Sequence, residues 1–550
     1  MASWLKRLPQ WLFASDPTFS APGRLVPRWL FLRALGLIYF SAFYSLLRQA
    51  VGLIGPDGLQ PAGAYLEAVK QTAGASRFWY APTLLWLGSG SRALLFLCWL
   101  GIVASVLLVL NFWPRAMLVV CLAVFLSFIA TLQIFASYQS DGMLLGAGFV
   151  SMFFAPPGLR PGWGERHPPS RASLFLLQWL WFRIYFESGI VKMASGDPEW
   201  RHLTAMDEYY QNGPLPTWIG WYAQHLPHWF HVGTAGFTLA LELVLVWLLF
   251  LPRPFRIVLF AIVTPLQLGI IATSNYAFLN YLVLGLGVLL LDDKLLQRFL
   301  PERLRGPRNT AVAVIPVAAV APVTSDLEAR DSAHVRGWRA LVARRAAVAG
   351  LVFAGICLSW NFYATTVGLL EMVAPDVPLP MAPVVALEPS RIAESYGLFA
   401  TMTRARYEIE FQGSNDGQNW TPYPFQYKPQ DPRQPPGIYA PYQPRFDWNL
   451  WFASLSNWRE NRFVITAEER LLTNSPSVLA LFAGNPFPGA PPHQVRAVIW
   501  QYWFTDRAEK RQGFWWRRQF LGAYAPTLER EEDGRIGVVG APPLDLSDEP

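Results

Sequence analysis

Cysteine is nearly missing from this sequence. Three occur in 550 residues, and Cys98, Cys121 and Cys357 each sit inside an apolar run. No CxxC pair exists, which excludes a thiol-redox or zinc-ribbon reading. None of the three lies beyond residue 370, so no intramolecular disulfide staples the C-terminal third. Charge is scarce as well: 15% of residues are charged, against about 25% in soluble domains. A large soluble protein does not tolerate that deficit, whereas a chain with much of its surface in lipid does. There is no Gly-rich phosphate loop, no GxSxG elbow and no Ser-His-Asp order that fits one compartment. The net charge of +7 does not point to nucleic acid, because the basic residues are scattered through short loops between apolar segments.

Long apolar runs are abundant. Hydrophobic residues make up 53% of the chain, and 25 tryptophans supply the amphipathic rings that collect at membrane interfaces. A spanning helix needs about 20 mainly apolar residues. Such segments fall at residues 29–47, 93–112, 116–137, 143–154, 174–191, 233–251, 257–273, 276–291 and 346–370, with 143–154 short enough to re-enter instead of crossing. The first is long enough to remain as an anchor in place of a cleaved signal. Residues 311–323 are apolar but hold Pro316 and Pro322, and are expected to be linker.

If every segment crosses once, Arg24 and Arg28, Arg115, Arg160 with Arg166 and Arg171, Arg253 with Arg256, and the ten Lys and Arg of residues 294–345 all share one side. The positive-inside rule makes that side cytoplasmic. Residues 52–92, 192–232 and everything after 370 then share the opposite face, the periplasm of a bacterium or the lumen of the ER. The expected domains are a transmembrane helical domain (1–292), a basic cytoplasmic linker (293–345), a last transmembrane helix (346–370) and an extracytoplasmic β-rich domain (371–550).

The tail follows different rules. Tyr407–Gln412 alternates as a strand with one wet face, Ser414-Asn415-Asp416-Gly417 is a tight-turn signal, and residues 495–504 suit a sheet. A small β-sandwich-like fold is expected there.

Ionisable groups within membrane helices are costly and mark sites or internal ties. Arg183 and Glu187 are four apart on one helix face, so they pair, either to lock helices together or to line a polar cavity. Lys192, at the outward end of that helix and followed by Asp197 and Trp200, either snorkels to the interface or is a base with a lowered pKa. Asp141 beside Gly142 is placed to cap a helix. Glu242, Asn275 and Asn280 are placed to cross-link helices. His225, His228 and His231 form an HxxHxxH run, but Pro227 breaks the helix face and no carboxylate or thiolate follows at ligand spacing. No metal and no cofactor are expected.

Ordered fragments across both parts resemble the lipase maturation factor family. They include Tyr138-Gln139-Ser140-Asp141, Phe182-Arg183 through Ser188-Gly189-Ile190-Val191-Lys192, Asp197-Pro198-x-Trp200, Trp221 through Pro227, Asn275-Tyr276-x-Phe278-x-Asn280, and Ala440 through Arg445-Phe446-Asp447-Trp448. The resemblance implies a non-enzymatic role: animal members are multi-pass ER proteins that help secreted lipases fold, using lumenal loops and the C-terminal domain. A secreted client, lipases included, and membrane lipid are the implied partners, with oligomeric state left open. The aromatic run Trp448-Asn449-Leu450-Trp451-Phe452 is either an exposed partner surface or domain core. Gly146-Ala147-Gly148-Phe149 departs from the family's usual Glu-Ala-Gly-Phe, and the lumenal cysteines of ER members are absent, as in a bacterial inner-membrane member. The stretch Phe186 to Met193 is also similar to the membrane core of vitamin-K-dependent carboxylase-like proteins, which implies an alternative with Lys192 as base on a quinol-like or lipid substrate.

Overall fold

The protein was analysed as a computed structural model, which describes residues 21, 23–299, 329–531 and 533–542. Most of the expected basic linker, including residues 311–323, lies outside the described residues.

The N-terminal part is helical, and among the described residues five helices are long and apolar enough to cross a membrane: Leu25–Ile54, Ser91–Val109, His228–Phe250, Arg253–Thr273 and Val348–Val373. We label the principal helices α1 (Leu25–Ile54), α2 (Ser91–Val109), α3 (Pro114–Ile129), α4 (Gln139–Phe154), α5 (Arg171–Ala194), α6 (His228–Leu243, continued by the 3-10 turn Leu245–Phe250), α7 (Arg253–Thr273), α8 (Leu279–Gly287) and α9 (Ala329–Val373). Three of the four other apolar segments form shorter helices, while α5 is long enough but carries buried Arg183, Glu187 and Lys192. Small residues set the packing, as membrane bundles require. The Gly101 backbone of α2 lies against the Phe43 ring of α1, where an added Cβ would fall 2.5 Å from the ring. Helix α5 is the hub, touching α4, α6, α8 and α9.

Polar groups sort to the two ends of the bundle. At one end Arg24 donates to the Leu289 carbonyl at 3.0 Å, and Arg28 to those of His167 (2.6 Å) and Trp163 (3.0 Å). Asp293 caps α1 from a distance, accepting from Leu25 N (3.2 Å) and Val26 N (2.8 Å), the free amides at a helix N-terminus. At the other end the loops after α1 and α5 meet the C-terminal domain. There Ser475 reaches the Asp57 carbonyl at 3.3 Å, and Trp218 N donates to Pro436 O at 3.1 Å.

The C-terminal domain holds one antiparallel sheet in the order β2-β1-β3-β5-β6, with β4 also on β3. Its strands are β1 (Arg406–Ser414), β2 (Thr421–Pro422), β3 (Gln494–Phe504), β4 (Trp516–Ala523), β5 (Thr527–Arg530) and β6 (Ile536–Gly540). β1 and β3 pair along their length, from Arg406 opposite Tyr502 to Ser414 opposite Gln494. Gly417 turns the chain after β1 with φ +71°. Two expectations fail here. The second layer is helical: α10 (Arg445–Ala453) packs on β1 and α11 (Phe463–Leu472) on β3, so among the described residues there is no second sheet and no sandwich. β1 is also buried on both faces instead of one. Its glutamates tolerate burial because cations meet them, Lys428 lying 2.8 Å from Glu408 and Arg518 3.5 Å from Glu410.

Candidate functional site

Between α9 and β1 the chain runs irregularly from residue 391 to 405, crossing the end of the helical bundle that meets the C-terminal domain. Such a segment leaves its amides and carbonyls without the partners that a helix or sheet would give. Here the bundle's side chains supply them. Asn361 donates to Ile392 O at 2.9 Å, and Arg183 to Glu394 O. Glu187 accepts from Tyr396 N (2.7 Å), Gln139 from Gly397 N (3.0 Å), Ser188 from Leu398 N (3.3 Å) and Asp197 from Met402 N. Lys192 donates to Leu398 O and the Trp200 indole to Phe399 O, both at 2.9 Å; Asn212 donates to Thr403 O at 2.8 Å. This strap is therefore held along its length by side chains from α4, α5, α9 and the loop that follows α5.

The expected pair Arg183–Glu187 forms at 2.6 Å with both side chains 1% exposed or less. Its remaining hydrogen-bond capacity goes to the strap. Lys192 also reaches the Glu242 carboxylate at 3.0 Å, tying α5 to α6, and packs 5.1 Å from the Trp200 ring. An ammonium held by a carboxylate and a carbonyl is a tie, and that arrangement does not favour the base reading. Asn280 donates to Gln267 and Gln267 to Tyr185, each at 2.7 Å, which links α8, α7 and α5.

A second set of contacts docks the sheet domain. Arg445 places two guanidinium nitrogens 2.8 and 2.7 Å from the two oxygens of Asp141, and donates again to Phe135 O at 2.6 Å. Asp141 does not cap α4, as its position suggested, because its carboxylate is taken by Arg445. Asn275 accepts from Tyr439 N (2.6 Å) and Ala440 N (3.0 Å) and donates to Gly437 O (2.9 Å). His225 stacks on Trp221 at 4.1 Å, and the Trp221 indole donates to Thr505 O at 3.1 Å.

Trp448 is buried and meets Tyr138 edge-on at 5.0 Å, so it belongs to the seam and not to an exposed surface. Asp447 is internal to the C-terminal domain, accepting from Tyr427 N (3.3 Å) and Lys428 N (3.2 Å). The three histidines do not converge. His228 pairs with Asp207 at the surface, His231 is buried, and among the described residues no cluster of potential ligands could hold a metal.

Sequence reasoning missed Arg406, which is fully buried and donates to Gln211 O and Pro214 O, both at 3.0 Å. It also missed Gln49, which donates to Gln443 O at 2.9 Å. Gln49 carried a usable signal, an amide inside a run of membrane residues; Arg406 at the start of a strand carried none.

Under the strap lies a cavity of about 1010 Å³, walled by α5, α6, α7, the strap and α10. These features define a class: a polytopic membrane protein whose strand-containing domain is clamped onto one end of its helical bundle. Two family models match the chain, the lipase maturation factor transmembrane domain over residues 26–298 and the lipase maturation factor C-terminal domain over residues 392–526. Lipase maturation factor 1 of Bos taurus is 32% identical over 525 residues, covering 92% of this chain and 89% of that protein. Lipase maturation factor 2 of Gallus gallus is 31% identical over 610 residues, covering 94% and 82%. Lipase maturation factor 2 of Homo sapiens is 32% identical over 596 residues, covering 92% and 83%. No solved structure matches. The chain belongs to the lipase maturation factor family.

Proposed function

We propose that this protein is a membrane-anchored maturation factor that assists the folding or assembly of exported proteins, lipases included, by reversible binding. The observation that carries the reading is family membership across both domains, together with a seam that holds those domains in one fixed pose. The polar groups at that seam are committed to structure, which favours a binding platform over a catalytic centre. We further propose nine crossings, with the C-terminal domain on the periplasmic or lumenal side. In support, residues 52–92 and 192–232 each touch the C-terminal domain at one end of the bundle, through Asp57 and Trp218, while Arg24, Arg28 and Arg115 lie at the other.

The test is a crosslinking pull-down through the C-terminal domain in the native cell, with captured proteins identified by mass spectrometry. Recovery of one or a few exported proteins is expected, reduced by Phe520→Glu, an exposed position on β4, at matched expression. Recovery of no exported protein would overturn the client reading. Topology is checked separately with a Gly489→Cys variant, at an open loop position. An impermeant maleimide added from outside the cell membrane, or from the lumen in microsomes, should label it.

A further inference from the structure

We infer that the cavity beneath the strap is a lipid site, taking the acyl chain of a membrane glycerolipid that enters sideways between α6 and α7. Protein interiors are close-packed, with few voids larger than a water molecule. A space of about 1010 Å³ is at the top of the range of ligand pockets, roughly 300–1,000 Å³. Most of its wall is apolar, with polar groups concentrated near the strap. Its side walls include Phe237 on α6 and Ile262, Leu266 and Ile270 on α7.

The position of those walls decides the chemistry of the occupant. α6 and α7 are candidate membrane spans that expose most of their surface, with only 22% and 17% of their apolar windows buried. α6 leans on α5 and α7 on α8, the two meet at the turn Leu245–Phe250, and mid-helix Phe237 and Ile262 line the cavity between their other halves. The abundant apolar molecule beside the middle of a spanning helix is an acyl chain. Lys192 and Glu242 are the charged side chains in the wall, and they neutralise each other, so the site presents no net charge to its ligand.

A polypeptide occupant is disfavoured, because its backbone would need hydrogen-bond partners in an apolar site. Gln139, Ser188, Lys192 and Trp200 in the wall already serve the strap, and the few unpartnered wall groups, among them the Trp448 and Trp451 indoles, are too few to pair a backbone. Two glycines add a structural sign. Gly233 on α6 and Gly269 on α7 both line the cavity, and a side chain at either would meet open space. The roof is Trp451 of α10 with strap residues 397–403, so a chain seated there touches the membrane helices and the C-terminal domain together.

The test uses the full-length protein in phosphatidylcholine vesicles containing a trace of phosphatidylcholine with a diazirine on its acyl chain. After illumination, labelled residues are mapped by mass spectrometry. Label is expected on Trp451 and Ile184, which are shielded from bulk lipid at 6% and 3% exposure. In the Gly233→Phe/Gly269→Phe variant that label should fall at least about tenfold, the change that about 1.4 kcal/mol of lost binding gives. Label at the outward-facing Trp247 and Val258 should persist. Label confined to Trp247 and Val258, or label on Trp451 and Ile184 that cavity filling leaves unchanged, would overturn the site. So would a photoreactive residue at position 237 that crosslinks polypeptide in native membranes and no lipid. If the double variant does not accumulate, wild-type labelling at Trp451 carries the test: it should fall with dilution by shorter-chain lipid of equal headgroup, and failure to appear overturns the proposal.

Discussion

Arg445 and Asp141 stand 304 residues apart in the chain and meet as a buried two-bond ion pair, one in the first helix of the sheet domain and one in the first turn of a membrane helix. Few contacts join the two domains so directly, and most of the predictions below concern this seam.

Removing one partner of a buried pair strands the other charge, at a cost of about 3–5 kcal/mol. Arg445→Ala and Asp141→Ala are each expected to lower the thermal midpoint and open residues 391–405 to protease. Asp141→Leu with Arg445→Met should recover much of the loss. Equal protease sensitivity in wild type and both single variants would show that the pair does not hold the domains together.

Lys192 gives a parallel case with a functional readout. Lys192→Ala leaves Glu242 buried and unpaired, so accumulation of the protein and support of its client should fall together. Lys192→Met with Glu242→Leu should restore both. An acid–base catalyst would behave otherwise: the double variant would accumulate normally while activity stayed down by roughly 10²–10⁴-fold.

Asp447 predicts a pH dependence in the C-terminal domain. Burial pushes its carboxyl up from 3.8 to about 7, against the opposing pull of Lys428 and three backbone amides. A raised carboxyl pKa contributes stability that is complete below the unfolded value near 3.8 and is lost as pH rises towards and through about 7. Asp447→Asn keeps an oxygen for Tyr427 N and Lys428 N but removes the titration. Its thermal midpoint should therefore change less between pH 5 and pH 8 than that of wild type. Parallel pH profiles would refute the assignment.

Gly52 sits where α1 meets the C-terminal helix Pro476–Leu479, and a Cβ there would fall 2.5 Å from the Ser477 carbonyl. Backbone cannot swing aside as a side-chain tip can. Gly52→Ala should loosen docking by about 1–3 kcal/mol, read as faster hydrogen exchange in residues 475–482. Gly90→Ala, in open space, is the control and should leave that exchange unchanged.

The sequence made the membrane segments legible because about 20 apolar residues in a row have few other uses. It also exposed the polar groups within them, because each is costly in hydrocarbon. Their purpose was hidden. Gln139, Glu187 and Asp197 serve backbone amides 258, 209 and 205 residues away, and a backbone amide leaves no mark in a sequence. The same distance misled the reading of Asp141, whose local position is that of a cap. In the tail, alternation in Tyr407–Gln412 implied a wet face that Arg406 and Lys428 make unnecessary. The aromatic run from Trp448 gave no sign of whether it faced partner or core until Tyr138 was seen against it.

The strap also carries a schedule. Ribosomes add roughly 5–20 residues per second, so the groups on α4 and α5 wait on the order of tens of seconds before the amides they serve are made. Until then the bundle is an unfinished receptor for its own chain, with Gln139 and Asp197 facing water or another protein. The last membrane helix must be inserted before the strap can reach them, and the sheet domain can settle only afterwards. The protein thus completes its own fold last, at the surface where the helices end.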